Sequence, residues 1–111
     1  MGYLLSDGPA AGKTIFVAEN CTLKVKKGDT VTANTELCEM HNASPNIETG
    51  WSEPGANQAL AHNVYTEGDA TAYGVNFDAL MQKLGAPAGK YQKPAQKGAP
   101  VGSLPSGWPN W

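Results

Sequence analysis

Gly and Pro punctuate this chain at 13 and 8 of its 111 positions, which commits much of the backbone to turns, loops or extended tail. The apolar bulk that must oppose this irregularity is thin. Leu, Ile, Val and Phe together number 18, a level at which disorder becomes a real alternative. The formal net charge of -2, however, lacks the excess that holds disordered chains open. One domain with one modest core is expected, and a chain this poor in large aliphatics gains from a cross-link or a partner.

Periodicity assigns the elements. Thr14-Ile15-Phe16-Val17 is β-branched and aromatic and reads as a strand. Cys21 to Lys26 alternates, with Cys21, Leu23 and Val25 on one face and Thr22, Lys24 and Lys26 on the other. Lys27-Gly28-Asp29 is a turn, Thr30 to Thr32 resumes extended structure, and Glu36 to Met40 is a further strand with room for a bulge. From His41 to Asn63 the pattern dissolves into a long loop punctuated by Pro45, Gly50, Pro54 and Gly55, with a short helical turn over 56–60. Val64-Tyr65-Thr66 is a brief strand candidate. A helix is predicted over 76–84, capped by Asn76, with Phe77, Leu80, Met81 and Leu84 as its apolar stripe and Gly85 as its stop. The fold class is therefore mostly β: a small single-domain β-sandwich or barrel-like sandwich with one short C-terminal helix and an irregular tail.

Residues 1–87 are expected to form that β domain and residues 88–111 a Pro/Gly-rich docking tail. The tail cannot build a core of its own. Trp108 and Trp111 are its natural anchors, and a neighbouring molecule in an assembly is the favoured place for them to dock.

Charge and motif content exclude several classes. The chain has no Arg, and eight acids with no Lys lie between Gly28 and Gln82, so a phosphate-tracking nucleic-acid surface is not expected. No stretch approaches the eighteen apolar residues of a membrane span, and the start MGYLLSDG has neither the basic nor the apolar region of a secretory signal. Gly8-Pro9-Ala10-Ala11-Gly12-Lys13-Thr14 matches the P-loop pattern, but a strand-like run follows Lys13 where that loop needs a helix. Cys21 and Cys38 are the only cysteines. A disulfide between them and a pair of buried thiols both remain open readings.

Leu23-Lys24-Val25-Lys26-Lys27-Gly28-Asp29-Thr30-Val31 resembles the strand-turn-strand signature, with its V-x-x-G-D-x-V, of lipoyl-like domains and of the LytM (peptidase M23) family. Thr35 to Met40 is similar to the strand that follows it there. Glu48-Thr49-Gly50 looks like the S-T-G before that family's second histidine motif. Ala72 to Phe77, with Leu80, Leu84 and Gly85-Ala86-Pro87, resembles a closing segment. The resemblance spans about Thr14 to Pro87 and implies a small β-sandwich related to zinc endopeptidases of peptidoglycan cross-bridges. It does not carry the catalysis over. Trp51-Ser52-Glu53 stands where P-H-L-H would supply a zinc ligand, and Asp7 has no upstream His partner.

A catalytic zinc needs about three protein ligands and an open position. His41 and His62 are the only imidazoles, 21 residues apart, and only a meeting in space with Glu53 or Glu39 would make a metal site. No GxSxG elbow surrounds Ser44 or Ser52. No catalytic residue and no cofactor is therefore expected. The expected role is a non-catalytic structural or interaction protein of a virion or cell-envelope assembly, self-associating or binding protein partners through its tail. The alternative is a peptidoglycan-binding module with Trp51, Tyr65 and Tyr73 as stacking residues for cell-wall glycan or peptide.

Overall fold

In a computed structural model the described residues are 1–18, 21–41, 47–55, 59–61, 66, 68–90 and 100–111. They are β-rich, with two small antiparallel sheets and one short helix. Strands β1 (Gly2–Leu4), β2 (Thr14–Ala18) and β5 (Glu48–Ser52) form one sheet in the order β1-β2-β5. Strands β3 (Cys21–Leu23) and β4 (Cys38–Met40) form the other, and α1 spans Ala72–Lys83.

The β-branched run from Thr14 sits at the centre of the first sheet, where its preference for a pleated, packed surface is best used. Register places Tyr3, Ile15 and Trp51 side by side on one face. Ile15 and Trp51 are buried with Ala10 and Phe77, and Leu5, Leu60, Leu80 and Met81 pack around them. Phe16 lies on the opposite face against Gly50, its cross-strand partner, where any Cβ would meet the ring at 3.1 Å. That contact explains β5, a strand that the sequence reading takes for loop. Glu48-Thr49-Gly50-Trp51-Ser52 has weak strand character of its own, and pairing with β2 supplies the rest.

A second sheet was expected to face the first. Among the described residues the inward face is covered instead by α1 and by the C-terminal segment 100–111. The β3–β4 ribbon has nothing to offer such a core, since no residue from Cys21 to His41 is buried. It forms an arm closed by a disulfide between Cys21 and Cys38, whose Cα atoms are 5.6 Å apart, so the cross-link is realised and not the pair of buried thiols. The predicted turn within its loop is present, with Gly28 at φ 98° and the Asp29 carboxylate accepting from the Lys26 amide, but the extended runs expected on either side, Lys24 to Lys26 and Thr30 to Thr32, lie in no strand.

The helix begins four residues earlier than predicted. Thr71, not Asn76, is its N-cap: the Thr71 hydroxyl accepts from the Gly74 amide at 2.9 Å. A Cβ at position 74 would meet that oxygen at 3.1 Å, so the glycine that hides the helix start from a propensity reading is what admits the cap. The predicted stop at Gly85 is present. Gly85 has φ 100°, its amide reaches the Gln82 carbonyl, and the Ala86 amide reaches that of Met81, a Schellman closure. Leu84 falls outside the apolar stripe and is exposed. Asp78 lies beyond the first turn and accepts from the Gly89 amide, which folds the chain back along the helix after its end.

Candidate functional site

The densest polar and aromatic constellation lies where β5, α1 and the C-terminal segment meet. Alternation along β5 turns Trp51 inward, and the helical period sets Tyr73, Asn76, Phe77 and Leu80 along one side of α1. Asn76 is disfavoured inside a helix on propensity alone. Here its side-chain oxygen accepts from the indole nitrogens of Trp51 at 2.9 Å, Trp108 at 3.1 Å and Trp111 at 3.1 Å. These are the chain's only three tryptophans. A carbonyl oxygen offers two lone pairs, so the three donors share them. The other end of the amide donates to the Pro109 carbonyl at 2.8 Å. Three N–H groups on one side and a carbonyl on the other leave a single chemically sensible orientation for this amide.

The rings pack as well as bond. Phe77 and Trp108 meet Trp51 edge to face at centroid distances of 5.3 and 5.8 Å, and Trp111 stacks on it at 6.4 Å. Tyr73 meets Trp108 edge-on at 5.6 Å, and the Lys13 ammonium sits 4.2 Å from the Trp108 centroid. Val101 adds a short parallel bridge beside Thr71, exchanging backbone hydrogen bonds with Ala70 and Ala72. Residues 100–111 thus form a strap over the core. At the far edge of that core, burial raises the Tyr3 phenol above its ordinary pKa of 10.0.

This geometry revises the site expected from sequence. Trp51 is only 2% exposed and surrounded by aromatic neighbours, so it has no free face for a sugar. Tyr73, Trp108 and Trp111 are partly buried around it. The tail's two anchors, expected on a neighbour, rest on the chain's own core. The reason is that indole N–H groups leaving water need acceptors, and Asn76 provides one oxygen for all three. Tyr65 and His62 lie outside the described residues. His41, at the arm, shares a 2.7 Å hydrogen bond with the Thr22 hydroxyl, and Glu39 is paired with Lys24. Among the described residues there is no group of three or more His, Cys, Asp or Glu able to hold a metal ion, and no helix is long and apolar enough to cross a membrane.

Thr71 is the residue that the sequence does not single out, and Asn76 is one to which it gives the wrong role, that of a cap. One signal for Asn76 was present: three indoles in so small a core require acceptors, and a polar amide sat within an otherwise apolar helical stripe. No protein-family model, curated protein or solved structure matches this chain.

Proposed function

We propose that this chain is a non-catalytic structural or interaction protein, derived from a lipoyl- or LytM-like β domain and serving in a virion or cell-envelope assembly. The observation that carries this reading is the use made of the buried polar node. Asn76, three indoles and the Pro109 carbonyl bond one another and hold chain segments together. The described imidazole and the paired carboxylate of the arm are likewise spent on local bonds. The Cys21–Cys38 disulfide supports a place outside a reducing cytosol, on a particle or envelope surface. The descent rests on likeness of sequence alone at Leu23 to Val31 and Glu48 to Gly50, since neither Val25 nor Val31 lies in a strand.

Size-exclusion chromatography with light scattering at micromolar concentration tests the assembly role, and a discrete oligomer with a protease-resistant C-terminus is expected. A strict monomer whose last twelve residues are cleaved freely would sink it. The alternative, a peptidoglycan-binding module, has less to stand on because Trp51 is enclosed. Retention of the protein on purified peptidoglycan would reverse the order of the two readings.

A further inference from the structure

We propose that the Cys21–Cys38 disulfide is a redox latch: a thiol reductant of the glutathione class opens it while the body stays folded, and the arm, residues 21–41, passes from a closed loop to an extended, accessible segment. The inference goes beyond the assembly reading and holds equally for a monomer.

The first observation is how little besides the bond keeps the two cysteines together. Among the described residues, each hydrogen bond and ion pair of the arm joins two of its own residues: Lys24 to Leu37 and Glu39, Thr22 to His41, Lys26 to Asp29, Thr32 to Thr35. None of its residues is buried, and none belongs to the core around Trp51. The ribbon is three residue pairs long, and a two-stranded hairpin standing by itself is marginally stable at best in water. A disulfide resists thiols when the surrounding fold holds the two sulfurs in place after reduction, so that the bond re-forms at once. Here the connecting chain alone does so. Across the 17-residue separation, flexible chain supplies an effective thiol concentration on the order of 10 mM or less.

The second observation is access and amplitude. Register places Cys21, Leu23, Cys38 and Met40 on one face of the ribbon and Thr22 and Glu39 on the other. Both cysteines are partly exposed and Leu23 beside them is exposed, so the bond lies at the surface within reach of a small thiol. With the bond closed, the two Cα atoms are 5.6 Å apart. Once it is open, a chain of this length extends to about 56 Å.

The chemistry needs two equivalents of thiol. One glutathione thiolate attacks a sulfur of the bond, forms a mixed disulfide with that cysteine and expels the other as a thiolate, which takes a proton from water. A second glutathione thiolate attacks the glutathione sulfur of the mixed disulfide, releases the remaining cysteine and leaves as oxidised glutathione. Two electrons pass to Cys21 and Cys38, and the two protons they gain match the two that glutathione gives up.

The test uses the full wild-type chain, oxidised at the start and equilibrated without denaturant in glutathione buffers. The squared concentration of reduced glutathione divided by that of the oxidised form is varied, and the reduced fraction is read by acid quench, alkylation and mass spectrometry. Half-reduction is expected near 10 mM on this scale, on the order of the effective concentration above. In the same samples, tryptic cleavage at Lys24, Lys26 and Lys27 should rise with the reduced fraction while tryptophan emission stays constant. A protein still more than half oxidised at about 1 M, a hundredfold higher, would overturn the latch and make the bond a structural cross-link. A reduced protein whose arm still resists trypsin would overturn it as well, and so would emission that shifts in step with reduction.

Discussion

The two halves of this molecule solve the same problem by different means. The body, built on β1-β2-β5, α1 and the strap, offsets the entropy of ordering its chain by burial, with Trp51 enclosed by aromatic rings and its indole bonded to Asn76. The arm, residues 21–41, buries nothing fully and carries Leu23 at 54% exposure. Its order comes from a covalent link, local turns and a short ribbon whose register sets Leu23 opposite Cys38. Where apolar residues are few, concentrating them in one place leaves the remainder to be held by chemistry that works without a core. The two regions should therefore fail separately, and a perturbation that unfolds one should leave the other largely as it is.

The largest effect is expected at Asn76. Asn76→Ala removes the acceptor of three indole N–H groups, and unsatisfied buried donors cost about 1–3 kcal/mol each. Allowing for water reaching the two partly buried rings, a loss of about 3–5 kcal/mol is expected, read as a lower urea midpoint by tryptophan fluorescence. Under native conditions, tryptic cleavage at Lys24, Lys26 and Lys27 should not change. A loss below about 1 kcal/mol would mean that packing alone holds the strap, with the amide incidental.

Next comes the disulfide. Cys21 and Cys38 are 17 residues apart, and a loop of that size gives a cross-link worth about 3 kcal/mol through the unfolded state. Because the arm has no buried residue to fall back on, reduction or the Cys21→Ser/Cys38→Ser double variant should release it locally. Cleavage at Lys24, Lys26 and Lys27 should become fast while the indole emission of the body stays unchanged. If the emission shifts with reduction, the two regions are one cooperative unit and the contrast between them fails.

The same division decides what was legible beforehand. Strand β2 and the stop at Gly85 could be read because their causes are local: a β-branched run, and a position where only glycine sits easily at positive φ. Strand β5 could not, since Gly50 weakens it and the compensating ring belongs to Phe16, 34 residues away. Asn76 looked like a cap because an Asn before an apolar stripe is the usual sign of one. Its actual role depends on indoles 25 to 35 residues distant, a separation over which no local pattern runs. The disulfide stayed open for a similar reason. Two cysteines on separate strands meet only if the ribbon adopts one register, and register is a property of the folded pair. The terminal indoles were expected on a neighbour because nothing within the tail could pair with them, and the acceptor that could lay in another element.

The smallest effect is expected in the arm's ion pair, and it sharpens the contrast by being small. Lys24 and Glu39 meet at 2.8 Å across the ribbon, with side chains 41% and 66% exposed. A pair this open gains little in high dielectric, spends side-chain entropy to hold its geometry, and is screened at physiological salt. Lys24→Met should accordingly change the arm's protease resistance at Lys26 and Lys27 very little, equivalent to no more than about 0.5 kcal/mol, and added salt should erase even that difference. The disulfide closes the same ribbon without depending on solvent or ionic strength. If Lys24→Met opened the arm as far as reduction does, its order would have to be credited to electrostatics, and the arm would be expected to loosen with salt in a way that the Trp51 core does not.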